Sequence, residues 1–96
     1  MYASVRRYAI EGSAEELARR VREGFVPIIR QSSGFVAHYV VDGGDGSVAS
    51  MSIFQDQAGA EESNRKAADW VRANLAALLP KRPEITAGEV TVAETA

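Results

Sequence analysis

The 96 residues fit one domain, residues 1–96, and leave no room for a second. Hydrophobic residues at 46% against 25% charged exclude a disordered chain, and no apolar run is long enough to span a membrane. A net charge of −2 argues against a nucleic-acid partner; without cysteine there is no disulfide or zinc-thiolate site, and a single histidine rules out any site needing two.

Tyr2–Ile10 is rich in β-formers and stops at Glu11-Gly12, which predicts a first strand. The opening Met1-Tyr2-Ala3-Ser4-Val5 already reads as strand and lacks the basic and apolar regions of a secretion signal, so a cytoplasmic protein is expected. Ser13-Ala14-Glu15-Glu16 fits a capping box that starts a helix, with Ser13 capping and Glu16 reaching back. Leu17, Val21, Phe25 and Ile28 follow on one apolar stripe, with Ala18 and Ile29 beside it. Glu15→Arg19 and Glu16→Arg20 are i,i+4 pairs on the wet face. Pro27 should kink this helix or end its regular part, and Gly34 closes the segment.

Gly34–Asp42 and Ser47–Gln55 read as two strands of a hairpin joined by Gly43-Gly44-Asp45-Gly46. The glycines do not make a phosphate-binding loop, because a strand rather than a helix follows them and no lysine is present. A second helix is predicted from the N-cap Asp56 to Leu79, before Pro80, with Ala60, Ala67, Val71, Leu75 and Leu78 as its apolar stripe. Glu84–Glu94 reads as a final strand.

The order β-α-β-β-α-β predicts an α+β, ferredoxin-like domain: a four-stranded antiparallel sheet with two helices on one face. Alternation along the second strand puts Phe35, Ala37, Tyr39 and Val41 on one face and Val36, His38 and Val40 on the other. In the third, Val48 and Phe54 oppose Met51 and Ile53. Neither face is polar, and helices can cover only one, so a second copy of the chain is expected to cover the other.

Order, length and doubly apolar sheet resemble the dimeric α+β barrel proteins, most closely the antibiotic biosynthesis monooxygenase-like domains. The resemblance covers nearly the whole chain. It is carried by Ser33-Gly34-Phe35 opening the second strand, Ser52-Ile53-Phe54-Gln55-Asp56 closing the third, and Asn64 and Trp70 on the second helix. It implies a homodimer with a pocket between sheet and helices in each subunit. Its members include cofactor-independent oxygenases, haem-degrading enzymes and proteins without known activity. Several catalytic members place a histidine on the second helix; this chain has none there, which disfavours a haem-degrading role. The resemblance suggests a cofactor-independent monooxygenase acting on a small aromatic or phenolic ligand, or a non-catalytic dimeric binding or structural domain. No cofactor or metal is expected. An RNA-binding module shares the element order, but Val48–Phe54 lacks the aromatic and basic residues it would need.

Eight residues are candidates for the pocket. Asn64 falls within the apolar stripe of the second helix, where a buried amide must find partners or line a cavity. Asn74 lies at the other margin of that stripe. Trp70, on its flank, can pack or orient a ligand through its indole N–H. His38 is a candidate general base; Tyr39 points to the opposite face unless a bulge intervenes. Arg6 and Tyr8 share a face of the first strand, where a buried arginine needs an anion from a ligand or partner chain unless the strand end reaches water. Ser52, with Ser50, could hydrogen-bond a ligand.

Overall fold

The computed structural model describes all 96 residues. Four strands, β1 (Tyr2–Ala9), β2 (Phe35–Asp42), β3 (Ser47–Phe54) and β4 (Glu84–Glu89), form one antiparallel sheet in the order β2-β3-β1-β4. The helical segments are α1 (Ala14–Arg20), a π-helical turn (Val21–Phe25), α2 (Val26–Ile29) and α3 (Gln57–Asn74). They pack on one face, giving the expected two-layer, ferredoxin-like α+β architecture. No helix is long and apolar enough to cross a membrane.

The first helical run departs from the periodic expectation. Ser13 caps it by accepting from the Glu16 N–H at 3.2 Å. Glu16 does not reach back to close a capping box, because its carboxylate is taken by Arg19 and Arg20. Arg19 likewise pairs with Glu16 and Glu23, not with Glu15. The π turn ends just before Pro27, with the Val26 N–H donating to the Val21 carbonyl five residues back. Pro27 thus enters in the first turn of α2, where its missing N–H leaves no bond unmade. The wider turn also shifts the phase of the stripe. Ile29 is buried at 1% exposure, and Ile28, expected on the stripe, is 39% exposed.

In the hairpin, Gly44 and Gly46 adopt positive φ values of 76° and 84°, and Asp42 Oδ1 accepts from the Gly44 N–H at 2.9 Å. A bulge at Val36 lets Phe35 turn to the helix side with His38 and Val40, while Ala37, Tyr39 and Val41 take the open face. Strict alternation, without the bulge, puts Phe35 with Tyr39. Asp56 caps α3 by accepting from the Gly59 N–H at 2.8 Å.

α3 stops at Asn74, five residues before the expected Leu79. Asn74 Nδ2 donates to the Trp70 carbonyl at 2.9 Å, and Arg20 donates at 3.2 Å to the Asn74 carbonyl, the acceptor that a continuing helix would offer to the Leu78 N–H. The next turn brings Leu75 and Leu79 into one core cluster with Tyr8, Leu17 and Val48. A second cluster holds Phe25, Ile29, Phe54 and Ala60, and Val21 and Trp70 pack against both. β4 ends at Glu89 rather than Glu94; Tyr2 pairs with Glu89, and the Val90 N–H beyond it donates to the Met1 carbonyl at 2.9 Å.

Candidate functional site

Sheet register assembles a polar floor beneath the helices. His38, Ser52 and Ser4 lie side by side across β2, β3 and β1; Val40, Ser50 and Arg6 form the next row, followed by Val48 and Tyr8. Above this floor lies a cavity of about 50 Å³. Ser63, Asn64, Ala67, Trp70 and Val71 of α3 form its roof, and Leu17, Val21 and Phe25 wall its side. It sits where the two core clusters meet, so its walls are apolar and its floor is not.

Of the eight candidate residues, the fold brings Arg6, Tyr8, His38, Ser52, Asn64 and Trp70 onto this cavity. Tyr39 is not among them: it is 56% exposed on the open face, because the bulge at Val36 lies before His38 and leaves His38 and Tyr39 on opposite sides. Asn74 is also outside, its amide donating to the Trp70 carbonyl. Ser63 is not among the eight, although it lines the cavity and is only 2% exposed. Its signal lies in the spacing, three residues after Ala60 and four before Ala67, on the same stripe as Asn64. Ser4 lies in the His38 row but does not line the cavity; it is buried and its hydroxyl has no partner.

His38 Nδ1 and Ser52 Oγ lie 2.9 Å apart, while the buried Nε2 has no partner. The edge-to-face ring of Phe25, 5.6 Å away, adds apolar cover. Burial lowers the His38 pKa from its ordinary 6.5, because desolvation penalises the imidazolium. At neutral pH the ring is therefore uncharged. A neutral imidazole with a free nitrogen can accept a proton from a ligand hydroxyl.

Arg6 is 8% exposed. Its Nη2 donates to the Asn64 carbonyl at 3.3 Å, and it forms no ion pair. The rest of the guanidinium has no partner within the chain and faces the cleft described below.

Trp70 separates the cavity from solvent: it also lines a surface groove with Arg20, Glu23, Gly24 and Asn74. Gly24, in the π turn, permits this approach, since a Cβ there would sit 2.7 Å from the indole Cζ2. No cluster of three or more His, Asp or Glu side chains could hold a metal ion.

No family model matches the sequence, and no curated protein is similar to it. Solved structures are similar. A Nitrosomonas europaea protein of unknown function, NE2512, is 23% identical with a TM-score of 0.79, over 99% of this chain and 93% of that one. The ActVA-Orf6 monooxygenase of Streptomyces coelicolor, solved with nanaomycin D, is 17% identical with a TM-score of 0.79, over 99% and 91%. SnoaB, a cofactor-independent oxygenase of Streptomyces nogalater, is 20% identical with a TM-score of 0.67, over 98% and 94%. The chain therefore has the fold of the antibiotic biosynthesis monooxygenase-type proteins.

Proposed function

We propose that the protein is a cofactor-independent monooxygenase that oxidises a small aromatic phenol in the cavity between sheet and helices. The observation that carries this reading is His38, which lines the cavity and whose Nε2 is buried without a hydrogen-bond partner. In the tautomer that donates Nδ1–H to Ser52 Oγ, Nε2 keeps its lone pair for the phenolic proton. The resulting phenolate supplies the electrons that reduce dioxygen. One oxygen atom bonds to the ring carbon para to the phenolate, the other leaves as water with the hydroxyl proton and the displaced ring hydrogen, and the product is a quinone. Apolar walls from Leu17, Val21 and Phe25 exclude water from this exchange. Asn64 and Trp70 on the roof would orient the ring.

Oxygen uptake and product mass, measured with a panel of naphthols and quinols, test the proposal. Turnover should fall by about a hundredfold or more in His38→Gln, the usual contribution of a general base. A wild-type protein that consumes no oxygen with any member of the panel would sink it.

A second reading is favoured by the size of the cavity. At about 50 Å³ it falls far below the roughly 300 Å³ or more of typical ligand pockets, with room for no more than a few water-sized groups. A non-catalytic dimeric domain, structural or ligand-binding, would consume no oxygen with the panel, and thermal stabilisation by an aromatic ligand would mark it as a binding domain.

We also propose that the protein acts as a homodimer. The open sheet face carries Val5, Met51, Ile53, Tyr39 and Val41, with Tyr39 and Val41 56% and 54% exposed. A second copy of the same sheet would remove this surface from water.

A further inference from the structure

We infer that the cavity and the cleft beside it form one site for aromatic ligands bearing a carboxylate, with Arg6 as the residue that selects them. The inference rests on the cavity being a ligand site, and it stands whether or not the ligand reacts there.

A cleft of about 560 Å³ lies between the C-terminal half of α3, the connection through Pro80 and Pro83, and β4. Arg6, Tyr8, Val71 and Leu79 line both this cleft and the inner cavity, so the Arg6 side chain belongs to the wall between them. The other charged residues of the cleft are Arg72, Lys81 and Arg82, and no carboxylate is among its lining. Asp69 pairs with Arg72 at 3.4 Å, whereas Lys81 and Arg82 form no ion pair. The cleft is thus an electropositive mouth leading to a buried, unpaired cation.

Five N–H donors in a planar fork match a carboxylate, and Arg6 uses one of them, on a neutral carbonyl. A monoanion arriving there would be matched by Arg6 alone, whereas the second charge of a dianion would have to be met by Lys81 or Arg82 at the mouth. A carboxylate is therefore favoured over a phosphate ester. A carboxylate of a second copy is the remaining source of an anion. Arg6 lies on the helix side of β1, however, and the apolar face open to a second copy is the opposite one, with Val5 and Arg7. The anion must come through the cleft. Tyr8, Val71 and Leu79 then offer apolar contact to its aromatic part, and the cleft supplies the volume that the inner cavity lacks.

The test is calorimetric titration of the full-length protein with 1-hydroxy-2-naphthoate, 1-naphthol and 1-naphthyl phosphate. The carboxylate should bind about tenfold or more tighter than the naphthol, as expected of a charge-assisted forked contact, and tighter than the phosphate. Raising salt from about 50 to about 500 mM should weaken it, because Lys81 and Arg82 attract it only at low screening. Arg6→Gln should bring carboxylate and naphthol within about twofold of each other, while Lys81→Gln/Arg82→Gln should lose only the salt-dependent part. If Arg6→Gln does not fold, Arg6→Lys serves, and should lose much of the preference because an ammonium cannot form the fork. Equal wild-type binding of carboxylate and naphthol, tighter binding of the phosphate, or a preference that survives both Arg6 variants would overturn the inference while leaving the cavity a ligand site. Binding of none of the three would remove the ligand site itself.

Discussion

His38 and Trp70 give the cavity two side chains that can be followed individually, since each is the only residue of its type in the chain. Burial sets the folded-state pKa of His38 below 6.5. Between that value and 6.5 the unfolded chain binds a proton that the folded one does not, so this contribution to stability is full above about 6.5 and declines as pH falls toward the folded-state pKa. An NMR titration of the imidazole should show a midpoint below 6.5, and His38→Gln should flatten that part of the stability curve. A midpoint at or above 6.5 would mean that the ring is not desolvated. Trp70 depends on Gly24 for its place. Gly24→Ala inserts a methyl group where the indole now packs and should cost about 1–3 kcal/mol by overpacking. The shift should appear in the fluorescence maximum of Trp70; unchanged emission and stability would show that the indole does not rest on that backbone.

At the scale of elements, the ends of the helices carry most of the local information. Asp56→Ala should destabilise the fold by about 1 kcal/mol in denaturant titrations, because it removes the acceptor of the Gly59 N–H. The α1 cluster acts in a different pH range from His38. Arg19 and Arg20 hold the Glu16 carboxyl down at about 2, against 4.5 ordinarily. This depressed carboxylate contributes stability above about 4.5 that is lost as pH falls through about 2, so His38→Gln should leave that acid limb intact. Periodicity locates both helical runs and both N-caps. It errs by one residue at Ile28 and Ile29, because a π turn beside Pro27 changes the angular advance that the 3.6-residue rule assumes. It overruns α3 because the apolar stripe continues through Leu75 and Leu78, while Arg20 takes the Asn74 carbonyl and the Leu78 N–H turns to the Leu75 carbonyl.

For the whole molecule, the two faces of the sheet have different fates. One is covered by helices and holds the cavity, and the other carries Tyr39 and Val41 bare in a single chain. Light scattering at micromolar concentration should give the mass of a dimer. Tyr39→Glu/Val41→Glu should give a monomer that stays folded, since both side chains are solvent-exposed in one chain and surface changes usually alter stability by no more than about 0.5 kcal/mol. A monomeric wild type would leave the fold intact and remove the homodimer.

Element order, the antiparallel hairpin, the apolar open face of the sheet and the polar residues at alternate strand positions are all legible in the residues themselves, because period 2, period 3.6 and turn chemistry are local. That is why Arg6, Tyr8, Ser52 and Asn64 stand out from spacing and residue type alone. Their meeting is not legible there. Cross-strand register sets His38 beside Ser52, the bulge at Val36 turns Phe35 to the side of His38, and the close approach at Gly24 sets Trp70 over the cavity. Each is a contact between segments distant in the chain, decided by how the helical layer packs on the sheet. The pairless state of the Arg6 guanidinium belongs to the same level, since only tertiary structure determines which carboxylates a buried cation can reach.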